Sequence, residues 1–353
     1  MTPAPSDASD ATDAIDARTA SRGAGARDAA APLVQRRRSP LPAGPRPPWL
    51  KIRLTTDDAY RQVQSLVKGN RLHTVCEEAR CPNIFECWGN RTATFMVLGD
   101  ICTRHCGFCS VGKGAPGAVD RDEPANLAAA VRALDLRHTV ITMVNRDDLP
   151  DGGASHLIEV IRATRRENPE CRVELLISDL DGNWNALDRL IDEAPDVLAH
   201  NTETVPRLYR RVRQHSNYPR TLELIARIRA RRASAIPMTK SGVMLGLGET
   251  RDELLTVFAD LARSGCEILT IGQYLPPAAK ALPLERYWTP EEFAELRERA
   301  LELGFTHVES GPLVRSSYHA HAHTPSSWRG ATPGVTNLEA SASAAGSRAA
   351  ASP

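Results

Sequence analysis

The sequence has few aromatic residues, almost no net charge and no long hydrophobic run. Phe, Trp and Tyr make up 5% of the 353 residues, and 44 basic side chains nearly balance 43 acidic ones. Because the net charge is close to zero, we expect neither a nucleic acid nor an acidic membrane surface as a partner. A bilayer-spanning helix needs roughly 20 consecutive apolar residues, and the sequence contains no such run. We therefore predict no membrane segment.

The N-terminus lacks the apolar stretch of a signal peptide. It also lacks the acid-poor composition of an organelle transit peptide, since it carries Asp7, Asp10, Asp13 and Asp16. These features predict a cytoplasmic protein. In a reducing compartment, clustered cysteines are expected to be metal ligands or catalysts rather than disulfides.

Large apolar side chains are scarce at both ends of the chain. Residues 1–47 and 331–353 are therefore predicted to be disordered, since they cannot bury enough surface to offset the entropy of ordering. Between them we expect an N-terminal segment over residues 48–92, a β/α barrel over 93–312 and a C-terminal segment over 313–330.

Strand-like and helix-like segments alternate through the middle of the chain. Strands are predicted over residues 94–98, 138–144, 172–177, 196–200, 240–246, 267–272 and 306–309. Helices are predicted over 124–136, 154–167, 184–193, 205–212, 221–232, 251–264 and 290–303, the last with Thr289 as its N-cap. Repeated strand–helix units indicate an α/β fold with a parallel sheet. Without a dinucleotide fingerprint, they favour a full or partial barrel whose site lies at the C-terminal ends of the strands.

Six of the eight cysteines fall within 34 residues, and they form two triplets. The first triplet is Cys76, Cys81 and Cys87, with the spacing C-x4-C-x5-C, and the second triplet is Cys102, Cys106 and Cys109, with the spacing C-x3-C-x2-C. Structural zinc takes four protein ligands, and a cubane iron–sulfur cluster normally takes four thiolates. Each triplet therefore leaves a metal position open or takes a ligand from elsewhere. Zinc with His105 as fourth ligand is an alternative for the second triplet, although zinc sites usually show paired C-x2-C halves.

The second triplet lies in GDICTRHCGFCSVGKG, directly after a predicted strand. This segment resembles the signature of the radical S-adenosylmethionine (SAM) superfamily. In that superfamily three thiolates hold a [4Fe–4S] cluster whose fourth iron binds SAM. The resemblance implies that the cysteines of the second triplet are catalytic cluster ligands and that Phe108 belongs to the cofactor site.

Three further strand-end motifs are similar to SAM-binding segments of the same superfamily. DGG at 151–153 resembles the glycine-rich loop that receives the methionine amino group. NTE at 201–203 resembles the segment that contacts the ribose, and GVMLGLGE at 242–249 resembles the strand that lies beside adenine. The resemblance implies SAM contacts by the following residues: Asp151, Gly152, Gly153, Asn201, Glu203, Gly246 and Glu249. Taken singly, glycines and acids at strand ends are common turn residues.

The first triplet, together with RSSY at 315–318, resembles the lipoyl synthase family. TVCEEARCPNIFECW, RDDLPDGGA, HNTETV, TKSGVMLGLGET and GQYLPP also look like segments of that family, in its order, over residues 72–320. In that family the triplet and a serine hold a second, auxiliary [4Fe–4S] cluster. The resemblance implies Ser317 as the fourth ligand, with Ser316 as the alternative. It also implies a partial (β/α)6-type radical SAM barrel whose N-terminal and C-terminal extensions carry the auxiliary cluster.

The resemblance implies a reaction and its partners. Two sulfur atoms would enter at C6 and C8 of an octanoyl chain on a lysine, with the auxiliary cluster as sulfur donor. The partners would be an octanoylated lipoyl carrier domain or glycine-cleavage H protein, a low-potential electron donor such as ferredoxin or flavodoxin, and an iron–sulfur carrier that rebuilds the cluster. Biotin synthase-like sulfur insertion is an alternative that lacks the first triplet paired with RSSY. A zinc-binding scaffold without activity is a second alternative.

Several charged residues have two interpretations each. Arg146, Asp147, Asp148 and Asp151 concentrate at one strand end. They form either a solvated loop or the mouth of the SAM and substrate site. Lys240 is interpreted as an internal salt-bridge partner rather than a catalyst.

The remaining cysteines and a histidine tract are assigned no role in the reaction. Cys171 and Cys266 lie in or beside apolar strands and are predicted to be small buried hydrophobic residues. His319, His321 and His323 are compatible with a metal-binding tract, but a solvated tail is the favoured interpretation.

Overall fold

The computed structural model describes residues 46–52, 56–89, 92–233, 237–278 and 280–323. The tail over residues 331–353 and nearly all of residues 1–47, both of which are predicted to be disordered, lie outside these residues. None of the described helices is long and apolar enough to cross a membrane.

Strands and helices alternate along the described chain, as the sequence pattern predicts. The strands are β1 His73–Thr74, β2 Thr94–Val97, β3 Ile101–Cys102, β4 Gly112–Lys113, β5 His138–Met143, β6 Arg172–Leu176, β7 Val197–Ala199, β8 Met238–Leu245, β9 Ile268–Gln273 and β10 His307–Gly311. The helices are α1 Asp58–Gly69, α2 Val75–Glu78, α3 Ile84–Gly89, α4 Glu123–Ala133, α5 Ala154–Glu167, α6 Trp184–Asp192, α7 Tyr209–Val212, α8 Tyr218–Arg231, α9 Arg251–Arg263 and α10 Pro290–Glu302.

The main sheet has the strand order β1-β2-β5-β6-β7-β8-β9-β10. All its neighbouring strands pair parallel except β1, which pairs antiparallel with β2. Helices connect successive parallel strands, so the predicted α/β class with a parallel sheet is confirmed. β1 and β10 are the two edges of the sheet, so its ladder forms a partial rather than a closed barrel.

Local signals explain most of the element boundaries. Thr289 caps α10, as predicted, and it forms a reciprocal capping box with Glu292; this pairing satisfies two backbone donors that a helix start leaves free. Helix α8 begins at Tyr218 rather than at the predicted residue 221, because the Asn217 side chain accepts a hydrogen bond from the Arg220 backbone. The predicted helix over 205–212 is a 3-10 turn followed by the short helix α7.

The N-terminal segment packs on the sheet through an apolar cluster that contains Trp88. Trp88 of α3 is fully buried, and its ring centroid lies 5.1 Å from that of Tyr60 in α1. Trp88 belongs to the same apolar cluster as Phe95 of β2. Burial of a large aromatic side chain contributes about 1.5–3 kcal/mol, so the burial of Trp88 in this cluster holds α3, which carries Cys87, against the sheet.

A polar network shapes the loop that follows β8. The Glu249 carboxylate accepts hydrogen bonds from the Gly246 backbone at 2.6 Å and from Trp288 Nε1 at 2.9 Å. Gln273 of β9 donates to the Leu245 carbonyl at 2.7 Å and accepts from the Trp288 backbone at 2.8 Å. Because these groups are buried, the network fixes the path of the chain at the end of β8.

Gly246→Ala should destabilise the protein more than Gly248→Ala does. Both glycines have positive φ, +105° and +107°, so alanine strains the backbone at either position by about 1–3 kcal/mol. A Cβ at position 246 would also overlap Gln273 Nε2 and lie 2.6 Å from the Arg286 carbonyl oxygen. At position 248 the nearest atom is Glu285 Cγ at 3.5 Å. We expect Gly246→Ala to lower the free energy of unfolding by about 1–3 kcal/mol more than Gly248→Ala does, as measured by urea unfolding. Equal losses of unfolding free energy in the two variants would contradict this account.

Candidate functional site

The sheet wraps around a cavity of about 530 Å³. Both cysteine triplets line it, and all eight cysteines of the chain are free thiols. The lining side chains and backbone come from β2, β5, β6, β8 and β9, for example Met96, Thr142, Leu176, Gly242 and Thr270. The fold therefore brings together two cysteine groups that lie on different segments of the chain.

Backbone amides surround the sulfur of Cys102. The amides of Arg104 and Asn145 donate hydrogen bonds to Cys102 Sγ at 3.4 and 3.3 Å. Such N–H···S contacts stabilise a thiolate and tune the potential of a cluster bound to it. The second triplet thus fits an iron–sulfur cluster in its surroundings as well as in its spacing.

Arg104 ties the loop of the second triplet to the two following strands. Its guanidinium donates to both carboxylate oxygens of Asp147 at 2.8 and 2.9 Å and lies 2.7 Å from Asp179 Oδ1. Burial alone would raise the pKa values of Asp147 and Asp179, but interactions with Arg104 hold both below their ordinary value. Asp147 follows β5 and Asp179 follows β6, so this ion-pair network fixes where the cysteine loop lies.

Five of the six cavity thiols carry raised pKa values. Burial raises the pKa of Cys76 to about 11, of Cys87 to about 12 and of Cys106 to about 11. Burial also raises the pKa values of Cys81 and Cys109. These thiols are protonated at neutral pH without metal, and a bound metal must displace their protons. Metal binding at this site is therefore coupled to proton release.

The first triplet is held by short helices and by contacts with the C-terminal segment. Cys76 lies in α2, and the Cys81 amide donates to its carbonyl at 3.0 Å. Cys87 lies in α3, where its amide donates to the Asn83 carbonyl at 2.8 Å. The Asn83 side chain in turn donates to the Leu313 carbonyl at 2.7 Å. The triplet is thus joined to the chain just after β10.

Both serines of RSSY line the cavity beside the first triplet. Thr94 Oγ1, at the start of β2, donates to Ser317 Oγ at 2.8 Å. Tyr318 donates to Glu86 Oε1 at 3.0 Å, and this contact ties the same segment to α3. The positive charge of Arg315 acts on the Cys81 thiol and opposes the rise that burial gives to its pKa. Ser316 and Ser317 both remain candidates for a fourth ligand.

Three of the predicted SAM-contact residues line the cavity: Phe108, Asn201 and Glu203. The Asn201 side chain donates to Glu203 Oε1 at 3.0 Å, and burial raises the pKa of Glu203. These side chains come from two elements, the cysteine loop and the end of β7, as the sequence pattern predicts.

The other five predicted SAM-contact residues are not among the described residues that line the cavity. The Asp151 carboxylate accepts from the amides of Gly153 and Ser155 at 3.0 and 2.8 Å, so it organises the start of α5. Gly152 packs over Leu180. Gly246 and Glu249 belong to the polar network after β8. In this structure DGG and the end of GVMLGLGE support the loops around the cavity.

The charged loop after β5 forms internal ion pairs. Arg146 is buried and pairs with Asp148 at 2.8 Å, so the solvated-loop interpretation is wrong for Arg146. Asp147 pairs with Arg104. None of the described residues of this charged group lines the cavity.

The predictions for the remaining residues have different outcomes. Lys240 is fully buried, and its Nζ lies 2.6 Å from Glu174 Oε1, which confirms the salt-bridge interpretation. Cys171 and Cys266 are buried, as predicted. His323 is 2% exposed, so the solvated-tail interpretation is wrong there.

Arg213 lines the cavity, although nothing in the sequence distinguishes it from the neighbouring arginines. It lies just after α7 in an arginine-rich stretch that looks like a solvated helix face. Its Nη1 donates to the Asn201 carbonyl at 2.6 Å, and its charge acts on Cys106 and Glu203. Its buried Nε has no hydrogen-bond partner among the described residues. No spacing motif marks it, because its position depends on how the chain turns after β7.

Arg104→Met should destabilise the fold strongly, whereas Arg162→Met should change it little. The first substitution leaves Asp147 and the buried Asp179 without their main partner, at a cost of about 3–5 kcal/mol. Arg162 pairs with Glu193 on the surface, where such pairs contribute little. Urea unfolding of both variants at neutral pH measures the difference. A similar loss of unfolding free energy in both variants would contradict the role of Arg104.

The ion pairs of Arg104 with Asp147 and Asp179 predict that the free energy of unfolding depends on pH. Because the pKa values of Asp147 and Asp179 are below their ordinary value of 3.8, Arg104 stabilises the fold at neutral pH. That contribution is lost as the pH falls below this value. The stability gap between wild type and Arg104→Met should therefore narrow in acid, and a gap that widens would contradict the assignment.

Two family models match the sequence. The model of the radical SAM superfamily matches residues 96–261. The model of the N-terminal domain of lipoyl synthase matches residues 27–81. Among solved structures, methylornithine synthase shares 12% identity at a TM-score of 0.47, over 72% of this chain and 79% of that chain. The FeFe-hydrogenase maturase HydG from Carboxydothermus hydrogenoformans shares 18% identity at a TM-score of 0.47, over 72% of each chain.

The curated relatives are much more similar in sequence. Lipoyl synthase from Rubrobacter xylanophilus is 54% identical over 81% of this chain and 88% of its own length. The lipoyl synthase from a Roseiflexus species is 53% identical over 83% of this chain and 96% of its own length. That from Symbiobacterium thermophilum is 57% identical over 78% and 85%, respectively. On this similarity the chain belongs to the lipoyl synthase family of the radical SAM superfamily.

Proposed function

We propose that this chain catalyses the lipoyl synthase reaction, the insertion of two sulfur atoms at C6 and C8 of a protein-bound octanoyl-lysine. The observation that carries the proposal is the cavity, because both cysteine triplets and the RSSY serines line it together. Side-chain bases remove protons only next to activating groups, and an alkyl chain has none. The reaction therefore needs a radical cofactor, and family membership supports that chemistry.

The two triplets are assigned to two [4Fe–4S] clusters. The second triplet would hold the cluster that binds SAM, and the first triplet with Ser317 would hold the auxiliary cluster. When bound, the SAM-binding cluster with SAM supplies a 5′-deoxyadenosyl radical, and the auxiliary cluster supplies sulfur. The donor sets support this assignment, since three thiols gather at each site and two backbone amides donate to Cys102 Sγ.

Polar residues beside the second triplet are suited to orient SAM. Asn201 and Glu203 lie at the end of β7. Arg213 brings into the same part of the cavity a guanidinium whose Nε has no hydrogen-bond partner in the described part of the chain. A guanidinium recognises a carboxylate through paired, charge-assisted hydrogen bonds. We assign Arg213 to the carboxylate of SAM and Asn201 and Glu203 to its hydroxyl groups.

Apolar side chains supply the rest of the environment. Met96, Met143, Val144, Ile177 and Val243 are buried and line the cavity. Such a lining excludes water and protects a reactive intermediate from side reactions. It also suits an octanoyl chain, which is itself apolar. The cavity therefore offers one surface to the polar cofactor and another to the alkyl substrate.

The partners follow from the chemistry. The substrate is a lipoyl carrier, such as an octanoylated lipoyl domain or glycine-cleavage H protein, and the octanoyl arm must enter the cavity. A low-potential donor such as ferredoxin or flavodoxin supplies electrons, and an iron–sulfur carrier restores the auxiliary cluster. Thiolate-bound clusters need reduced cysteines, which supports the cytoplasm as the compartment.

Substitution of one cysteine in each triplet should separate the two clusters. Cys102→Ala and Cys76→Ala should each lower the bound iron from about eight to about four atoms per chain, because a cubane cluster has four irons. Cys102→Ala should abolish SAM cleavage. Cys76→Ala should still form 5′-deoxyadenosine but transfer no sulfur to an octanoyl-lysine peptide, measured anaerobically by mass spectrometry.

Cys171→Ala provides the matched control for this experiment. Cys171 is a buried free thiol that is not among the described residues lining the cavity, so iron and sulfide contents should not change. Zinc without sulfide in the anaerobically purified wild type would reject the enzyme function. Normal sulfur insertion by Cys76→Ala would reject the auxiliary site.

Ser317→Ala should remove the fourth ligand of the auxiliary cluster, whereas Ser316→Ala should leave it in place. We expect loss of sulfur insertion in the first variant and near-normal insertion in the second. Ser317→Cys should retain iron but impair the second insertion, because iron binds a hard oxygen ligand less firmly than a thiolate. Product masses for one and two added sulfurs measure this directly. Normal turnover by Ser317→Cys would contradict the need for a weak ligand.

A further inference from the structure

A buried ionic cluster lies near the N-terminal ends of the parallel strands. Lys240 of β8 and Glu174 of β6 are 0% and 1% exposed in their side chains, and Lys240 Nζ lies 2.6 Å from Glu174 Oε1. His138 of β5 lies 3.2 Å from the other Glu174 oxygen. A buried ion pair is stable only if its remaining hydrogen-bonding groups find partners. Lys240 has three donors, and one of them reaches the C-terminal segment.

This cluster lies directly below the floor of the cavity. Residues two apart on a strand point to the same face of a sheet. Leu176 follows Glu174 at that spacing and Gly242 follows Lys240, and both Leu176 and Gly242 line the cavity. The ionic cluster therefore forms the side-chain layer beneath the lining residues.

His323 binds to this layer from the C-terminal segment. Its side chain is buried, and its Nδ1 lies 3.1 Å from Lys240 Nζ. Burial, together with the charge of Lys240, lowers the pKa of His323 to about 2. The neutral ring can therefore accept a hydrogen bond from the Lys240 ammonium. The neighbouring His319 and His321 are exposed, so burial distinguishes one histidine of the tract from the other two.

The part of the C-terminal segment from Val314 to His323 carries the serines of the candidate auxiliary site. At its beginning Val314 is buried, and its carbonyl packs closely against Gly272 of β9. At its end Ala320 and His323 are buried. Ser316 and Ser317 lie between these two anchors and line the cavity. Release of the second anchor would leave the serines held by the first anchor and by the hydrogen bonds of Ser317 with Thr94 and of Tyr318 with Glu86.

Three side chains around His323 also have the spacing of a metal site. Ligand atoms of His307, Glu309 and His323 lie within 4.8 Å of one another. A metal-bound histidine normally donates its other ring N–H to an acceptor. Here Nδ1 of His323 faces an ammonium group, which has no acceptor, so the ring proton belongs on Nε2. That tautomer has no lone pair for a metal, and its buried Nε2–H finds no hydrogen-bond partner among the described residues.

We propose that His323 is a positioning residue that docks the C-terminal segment on Lys240, closes the base of the cavity and holds Ser317 beside the first triplet. The docking follows from the contacts of the chain itself. The importance of holding Ser317 rests on the proposed function. The two parts can therefore be tested separately.

Trypsin cleavage after Arg315 reports release of the segment, because Arg315 is the single lysine or arginine between residues 311 and 323. His323→Ala should increase cleavage at this bond roughly tenfold or more, the effect expected when a buried hydrogen bond to a charged group is lost. His321→Ala alters an exposed histidine of the same tract and should match the wild type. His323→Asn keeps an acceptor for Lys240 and should restore most of the protection. Mass spectrometry of the fragments identifies the cleaved bond.

Four outcomes would count against the docking role. The first is equal protection of Arg315 in His323→Ala and His321→Ala. The second is cleavage of His323→Asn as fast as that of His323→Ala, which would mean that acceptance from Lys240 is not the cause. The third is stoichiometric zinc in the wild-type protein that disappears in His323→Ala. A general rise in cleavage throughout the barrel would also count against it, because the docking role predicts a local change.

Iron analysis of the same variants tests the link to the auxiliary site. His323→Ala should retain SAM cleavage and lose iron toward about four atoms per chain, the content of one cubane cluster, while His321→Ala keeps about eight. If Arg315 becomes accessible and the iron content does not fall, the docking holds and the ligand role of Ser317 is wrong. If the wild type contains no iron, the proposed function fails independently of the cleavage result.

Discussion

The candidate site depends on the packing of Trp88 against the sheet. This side chain is fully buried, packs against the partly buried Tyr60 and shares an apolar cluster with Phe95 of β2. It follows Cys87 directly, so its burial determines where the first triplet lies. The polar contacts of that region, such as the bond from Asn83 to the Leu313 carbonyl, act at short range and contribute about 1 kcal/mol each. They can select a geometry only after the apolar contact has brought the segments together.

The two triplets are built in different ways. The second triplet lies on one loop, and Arg104 anchors that loop to the ends of β5 and β6 through Asp147 and Asp179. In the first triplet Cys76 and Cys87 lie on short helices and Cys81 lies between them. The triplet is outside the parallel strands, and its neighbours come from the far end of the chain. A site made by one loop forms when that loop folds on its sheet. A site shared between distant segments requires the whole domain to be assembled, so the two sites differ in how much of the fold must be in place.

The sequence was sufficient to predict the alternation of strands and helices and the two cysteine groups, because both appear as local patterns along the chain. It was insufficient where a position depends on long-range packing. Arg213 enters the cavity because of the turn after β7, and His323 is buried because a distant lysine needs a partner. Glu249 resembles a cofactor contact in sequence but accepts hydrogen bonds from Gly246 and Trp288. Such roles are set by neighbours that lie far away along the chain and leave no spacing pattern.

The open edge of the sheet has a mechanical consequence. β10 and the β1–β2 pair stand at opposite edges, and no ladder joins them among the described strands. Instead, Thr94 contacts Ser317, Asn83 contacts the Leu313 carbonyl and Glu86 contacts Tyr318. The barrel is thus closed by a seam of side chains. A seam of this kind can part and re-form while every strand of the sheet stays paired, so the wall beside the first triplet can open without the loss of any strand pairing.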